Sequence, residues 1–262
     1  MKPKISIITI TYNSEATVEE TIRSVVSQDY PNLEYIIVDG VSKDNTLAIV
    51  DKYRDRIAKV VSEPDEGISD AFNKGIEHAT GDVIGIINSD DVLLPGALNI
   101  VADAYEEGVG VYLGNVLIWD SVRGVKIQAV PSKKYPLHTF GDYVVCHPGN
   151  FISKWAYDKY GDYKVDFKFM MDLDLLIRFY EAGVKFKYIP VELAMFRLGG
   201  VTDSLFLKKL NEFERMYLEN GAGKLYARCR VMLFAVKNSI LAVLRSVGLS
   251  LILKKIKFRI LR

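Results

Sequence analysis

The 262-residue sequence is sparing in several respects, and each absence narrows what the chain can be. It has two cysteines, Cys146 and Cys229, with no metal-type spacing. A disulfide framework is therefore not indicated, and a reducing compartment is expected. The formal net charge is +1, so whole-chain charge gives no sign of nucleic acid. In the C-terminal stretch the longest uncharged run is Ser246 to Leu253, far short of the roughly 18 to 20 residues that span a bilayer. Residues Met1 to Lys4 lack the tripartite layout of a secretory signal. No G-x-G-x-x-G follows the first strand pattern, which disfavours a nicotinamide dehydrogenase. No Gly-rich, Arg-containing loop stands there either, which disfavours a sugar nucleotidyltransferase. Internal repeats and low-complexity segments are lacking. No Asp or Glu occurs after Glu219.

What remains is an ordinary globular composition, 49% hydrophobic and 26% charged, enough for one large domain or one domain with a small appendage. Lys4 to Ile10 is a short β-branched apolar run ending at Thr11-Tyr12-Asn13, the pattern of a strand buried on both faces. Ser14 to Gln28 has helical spacing, with Ser14 as a plausible N-cap. Strand patterns follow at Leu33 to Val38, Ile57 to Ser62 and Val83 to Ile87. Helical patterns follow at Thr46 to Tyr53, Ile68 to His78 and Pro95 to Tyr105. This alternation predicts an α/β fold with a mostly parallel sheet and helices on both faces. In such sheets ligands bind beyond the carboxyl ends of the strands. Here those ends carry Thr11-Tyr12-Asn13, Asp39, Glu63 to Asp65 and Asp90-Asp91. After residue 108 the alternation is irregular. Strands are expected at Val111 to Trp119 and Gly124 to Val130, joined by a hairpin around Ser121 to Gly124, and at Lys185 to Ile189. A helix is expected at Asp172 to Ala182, turns over 131–150, and helix from Ser204 to the end.

Several residue groups could carry chemistry. Asp90-Asp91 at a strand end supplies hard oxygen ligands for Mg²⁺ or Mn²⁺, although the same pair could be a turn before the helix at Pro95. Asp39 could accept hydrogen bonds from a base or ribose, but alone Asp39-Gly40 reads as a turn dipeptide. Tyr12 could stack on a nucleobase or merely cap the core. Asp65, with Glu66, Asp70 and Asn73, could line the same crevice or form a loop and a solvated helix face. Asp172 and Asp174 open an apolar helix. Acids there suit the helix dipole, and one of them could instead be a general base whose pKa apolar neighbours raise. His147 lies in a Cys-His-Pro-Gly turn, where a structural role is the commoner one. Arg197, opening Arg197 to Val201, could fold over phosphates.

In order, these segments read ISIITITYN, EYIIVDGVSKDNT, SEPDEGISDAFNKGI, GDVIGIINSDDVLLPGAL, CHPGNFISK and FKFMMDLDLLIRF. Together, over roughly residues 4 to 201, they resemble the inverting glycosyltransferases of family 2, which have the Rossmann-like GT-A fold. The later motifs look most like a subgroup that builds exopolysaccharide or surface polysaccharide. The resemblance implies a nucleotide-diphosphate sugar donor, with UDP favoured, a saccharide or lipid-linked acceptor, and a divalent metal, Mg or Mn. It implies that Thr11, Tyr12 and Asp39 hold the nucleoside, with Asp65 beside them. Asp90 would contact the ribose side and Asp91 the metal. Asp172 would be the general base, with Asp174 its reserve. Independently of the resemblance, His147 and Asp174 are candidates for the acceptor side. The chain departs from the family at Met171, which replaces the usual Glu of a Glu-Asp pair, and at Val41. A catalytically inactive nucleotide-sugar-binding or scaffold subunit is the competing reading.

The expected organisation is a GT-A domain over 1–203 and a helical, basic, amphipathic extension over 204–262. From Lys224 onward the sequence has ten Lys or Arg, leaving 24 against all 33 acids in the rest. This asymmetry suggests contact with an anionic membrane, with a helical cap on protein as the alternative. The expected location is the cytoplasmic face of the cell membrane.

Overall fold

The computed structural model describes residues 2–120, 124–131, 147–198 and 206–246. These residues form two compact units, 2–131 with 147–198 and, separately, 206–246.

The first unit is built on one sheet. β1 (Ile5–Thr11), β2 (Leu33–Asp39), β3 (Lys59–Ser62) and β4 (Val83–Ile86) pair in parallel in the order β3-β2-β1-β4. α1 (Val18–Val26), α2 (Thr46–Asp51) and α3 (Ile68–His78) lie in the connections between them. The apolar runs form strands because both sheet faces are covered. Ile5, Ile7, Tyr35 and Ile37 share a core with Val18, Ile22 and Val25 of α1 and Val50 of α2. Successive strand residues point to opposite faces, so Ile8 looks the other way. There Gly75 of α3 lies so close that a Cβ on it would fall 2.4 Å from Ile8 Cγ2.

The second half adds β5 (Val92–Leu93), α4 (Ala97–Ala104), β6 (Val109–Asp120), β7 (Val125–Ala129), β8 (Asn150–Ser153), α5 (Lys154–Tyr160), α6 (Met171–Glu181) and β9 (Lys185–Arg197). The sheet continues from β4 as β8-β6-β9-β5, with β7 paired to β6. β8 runs antiparallel to both β4 and β6, while β9 runs parallel to β6 and antiparallel to β5. Antiparallel pairing therefore enters only in this half. β5, β8 and α5 had no sequence signal, since two to seven residues are too few to show a period. β9 also runs past the expected end at Ile189, because a register shift between Gly114/Ile189 and Asn115/Glu192 passes over Pro190. Pro cannot donate to a ladder and is tolerated at such an irregularity.

Three other expectations change or fall outside view. Ser14 is not the N-cap of α1. Thr17 is, without a side-chain cap. The Ser14 carbonyl instead accepts from Thr17 N and Val18 N, in a turn that delays the helix. The β6–β7 pair is antiparallel as expected of a hairpin, but 121–123 lie outside the described residues. So do Cys146 with the rest of 132–146, and 247–262.

The second unit consists of α7 (Phe206–Glu219) and α8 (Lys224–Ser246). Phe213, Met216, Tyr217 and Ala227 are buried. Phe213 packs against Phe234 with their rings tilted and 4.9 Å apart, and Tyr217 meets Tyr226 edge-on at 5.9 Å. Among the described residues no helix is long and apolar enough to cross a membrane.

Candidate active site

The parallel register brings Thr11 opposite Asp39. Gly40 N donates to Thr11 O at 2.9 Å and Glu63 N to Asp39 O at 3.0 Å, which ties the ends of β1, β2 and β3 together. The buried Asp39 carboxylate accepts from Ser42 N at 3.0 Å, Ser42 Oγ at 2.5 Å and Ser62 Oγ at 2.8 Å. A carboxylate offers about four acceptor sites, so Asp39 is mainly a clamp on its own loop with little left for a ligand. Gly40 sits between Asp65 and Tyr12. A Cβ there would lie 2.5 Å from Asp65 Oδ2 and 3.4 Å from Tyr12 Cδ2. The Tyr12 ring is 60% exposed, so an open aromatic face stands beside a carboxylate across a gap only glycine leaves free. The adjoining Asn13 and Val41 have φ of 48° and 64°. For a β-branched residue such a φ is strained, and the hydrogen bonds of Ser42 to Asp39 hold the loop in that shape.

β4 delivers Asn88 to Asp91. Ile87 N donates to Ile8 O at 2.9 Å, and Asp91 N closes a turn on Asn88 O at 3.0 Å. Thr21 Oγ1 of α1 donates to Asp91 O at 2.7 Å. The Asp91 carboxylate is fully buried, its Oδ1 accepting from Arg197 N at 3.1 Å where β5 pairs with β9. Its Oδ2 has no hydrogen-bond partner. His147 arrives from the opposite direction, because antiparallel β8 begins where parallel β4 ends. Its turn, His147–Gly149, packs so tightly that a Cβ on Gly149 would lie 2.5 Å from Val116 Cγ2. His147 Nε2 stands 4.0 Å from Asp91 Oδ2, and Nδ1 3.7 Å from Asp172 Oδ2 in the first turn of α6. The imidazole thus lies between the two carboxylates, with Phe72 against it at 5.6 Å.

The approach to α6 is fixed by α3. Asn73 Nδ2 donates to Tyr163 O at 2.8 Å, Tyr163 N donates to Asn73 Oδ1 at 3.0 Å, and Ser69 Oγ donates to Phe167 O at 2.8 Å. Burial, partly offset by Tyr163, pushes the Asp172 carboxyl up to about 7. Burial pushes His147 down to about 4, so the imidazole is neutral at pH 7. Burial also raises Asp91 well above the ordinary carboxylate range, and the Asp90 charge adds to this. Thr11 Oγ1, Asn88 Oδ1, Asp91 Oδ2, His147 Nε2, Asp172 Oδ1 and Arg197 Nε are all buried without a hydrogen-bond partner. Native proteins rarely leave such atoms unmet, and buried polar atoms gathered in this way suit a polar ligand or a cation. Asp91 Oδ2 and His147 Nε2 are hard and borderline donors that suit a divalent cation. Among the described residues no three His, Cys, Asp or Glu gather into a metal-holding group, so a cation here would need ligands from a substrate or water.

Residues 6–159 match the family described as Glycosyl transferase family 2. The chain belongs to that family. EpsE of Bacillus subtilis, whose name places it among glycosyltransferases, is 30% identical over 241 residues, covering 87% of this chain and 82% of that one. A β-1,3-glucosyltransferase of Campylobacter jejuni, named for a GalNAc(5)-diNAcBac-PP-undecaprenol substrate, is 33% identical over 120 residues, 44% of this chain and 39% of that one. The crystal structure of Staphylococcus aureus TarS 1-349 with UDP-GlcNAc superposes with a TM-score of 0.67 at 20% identity, covering 88% of this chain and 71% of that one. The Pyrobaculum calidifontis mannosyltransferase PcManGT, in complex with GDP-Man and Mn²⁺, gives 0.63 at 17% identity over 99% and 83%. These likenesses establish the GT-A fold, and the family makes the chain a glycosyltransferase.

Within this family 2 fold, the predicted residues do not all meet. Thr11, Tyr12, Asp39 and Asp65 form one cluster at the ends of β1 to β3. Asp91, His147 and Asp172 form another. Asp90 is partly buried beside Asp91, with its carboxyl raised by burial. Asp174 is a correction. It lies two residues from Asp172 and so about 200° around the helix. Its buried carboxylate is held by Lys164 at 3.0 Å and Arg178 at 2.9 Å, which removes it as a reserve base. Arg197 is also corrected. It ends β9 instead of opening a loop, lies over Trp119 at 4.7 Å and donates to Glu20 at 2.5 Å. Residues 199–205 lie outside the described residues. Asp70 and Asn73 do not line the crevice either. Asp70 accepts from Glu66 N at 3.0 Å, and Asn73 pins Tyr163. Met171 is buried in the core, so losing the usual Glu there leaves Asp172 in place. Sequence reasoning missed Glu20 and Trp119, whose partnership with Arg197 had no local signal.

Proposed function

We propose that the enzyme transfers a glycosyl unit, with inversion, from a nucleotide-diphosphate sugar to a hydroxyl of a saccharide or lipid-linked saccharide in polysaccharide assembly. The observation that carries this is the Asp172 carboxylate, its Oδ1 unmet and its pKa near neutrality, with His147 between it and Asp91. Asp172 takes the proton of the acceptor hydroxyl. The freed oxygen attacks the anomeric carbon in line, its bond forms as the bond to the phosphate oxygen breaks, and the nucleoside diphosphate leaves with the electron pair. Tyr12 and Asp65 take the nucleobase across Gly40, Asp39 fixes their loop, and Thr11 and Asp90 bind on the ribose side. Arg197 exchanges part of its hold on Glu20 for the diphosphate.

Asp91 and His147 would hold a divalent cation, Mg²⁺ or Mn²⁺. When bound, it neutralises the departing diphosphate. The Mn²⁺ of the PcManGT complex supports this reading, and the UDP-GlcNAc of the TarS complex supports a UDP-sugar donor. The catalytic domain is assigned to 1–203 and a membrane-facing extension to 204–262, with the enzyme peripheral on the cytoplasmic face.

A thermal-shift series of nucleoside diphosphates with Mn²⁺, Mg²⁺ or EDTA tests the donor site. Stabilisation favouring one nucleoside and lost in EDTA is the expected result. No stabilisation of folded protein by any of them would overturn the assignment.

A further inference from the structure

The second unit presents an apolar surface that its own packing does not use. Leu225, Met232, Leu233, Val236 and Ile240 of α8 are exposed by 79%, 61%, 57%, 50% and 54%. Cys229 between them is exposed too. At about 100° per residue, Leu225, Cys229, Met232, Val236 and Ile240 fall within roughly 80° of one another, with Leu233 at the margin. They form one stripe along four turns. The opposite side of α8 carries Ala227, which is fully buried, and Phe234, which packs against Phe213 of α7. The helix therefore uses one face to pack on α7 and leaves its other apolar face to solvent.

Charge decides what covers the stripe. Lys224 and Arg228 flank it on one side and Arg230 on the other, and no Asp or Glu follows Glu219. Among the described residues Arg228 meets Glu214 of α7 at 3.2 Å. A second copy docked stripe to stripe would bring two sets of these cations together with no acid on α8 to pair them. A surface with apolar depth and anionic headgroups meets both the stripe and its flanks, as amphipathic interfacial helices do.

We infer that α8 lies in the plane of an anionic lipid surface with Leu225, Met232, Val236 and Ile240 inserted among the acyl chains. This rests on the membrane-facing reading above and names the face that makes the contact. It holds the enzyme at the surface where a lipid-linked acceptor resides.

The test is co-sedimentation of the full-length enzyme with phosphatidylcholine vesicles, with and without phosphatidylglycerol. The wild type is compared with Met232→Ser/Val236→Ser and, as a control on an exposed polar position of α7, Asn211→Ser. The expected result is binding to the phosphatidylglycerol vesicles only. Binding by the double variant should be about tenfold or more weaker, since each buried aliphatic side chain supports about that factor or more. Both variants should keep the wild-type melting temperature. Equal binding by wild type and double variant would overturn the face assignment alone. Absence of wild-type binding to either vesicle would overturn the membrane reading itself. A wild-type dimer that the double variant converts to monomer, with no vesicle binding by either, would make the stripe a contact between copies and overturn the inference.

Discussion

Asp172, His147 and Asp91 lie in a row, and separate substitutions should test the separate roles proposed for them. Asp172→Asn keeps the shape and removes the base. It should lower kcat by roughly 10²–10⁴-fold while nucleotide binding stays near wild type. Turnover assays beside calorimetric titration check this, and equal loss of binding and turnover would count against the base. Asp91→Ala should abolish the difference between Mn²⁺ and EDTA in donor binding; an unchanged metal effect would place the cation elsewhere. Gly40→Ala forces a Cβ to within 2.5 Å of Asp65 Oδ2. It should weaken nucleoside diphosphate binding with little effect on the rate once donor saturates, which a kcat and KM comparison detects.

At the scale of elements, the parallel half of the sheet depends on close approaches and on one buried carboxylate. Gly75→Ala places a Cβ 2.4 Å from Ile8 where α3 crosses the sheet. Overpacking of this kind should destabilise by roughly 1–3 kcal/mol, read from urea unfolding. Glu34 of β2 accepts from Lys4 Nζ at 2.6 Å, Ser6 Oγ at 2.5 Å and Thr80 N at 2.7 Å, joining β1, β2 and the turn before β4. Burial works against its charge, but these bonds outweigh it and bring the carboxyl down to about 2. Because the folded value lies below the ordinary 4.5, this stabilisation is present above pH 4.5 and is lost as pH falls toward 2. Glu34→Gln should remove that acid-dependent part from a pH series of unfolding free energies.

For the whole molecule, the separation of charge links the acidic strand ends and the basic α8 to different partners. The acids lie before residue 220, where the proposed cation would be held, and the C-terminal stretch is purely basic. Raising salt from about 0.1 M to 1 M shortens the screening length from about 10 Å to about 3 Å. Vesicle binding should fall steeply over this range, as co-sedimentation in stepped NaCl would show; salt-independent binding would mean that the apolar stripe acts without the cations.

The sequence by itself determined the strands β1 to β4, the acids at their carboxyl ends, the amphipathic α6 and the one-signed tail. Each is a local pattern, a period of two or 3.6 or a run of charge, that a few neighbouring residues display. Tertiary structure alone decided which of those acids share a site. Asp172 and Asp174 look alike in sequence, yet helix geometry sends one toward His147 and the other to Lys164 and Arg178. His147 read as a turn residue until antiparallel β8, four residues long, brought it to the end of β4. Arg197 read as a loop cation until β9 ran on to pair with β5 and set it against Asp91, Trp119 and Glu20. Those meetings join segments as much as 177 residues apart. They follow from strand order and burial of the whole sheet, which no local window contains.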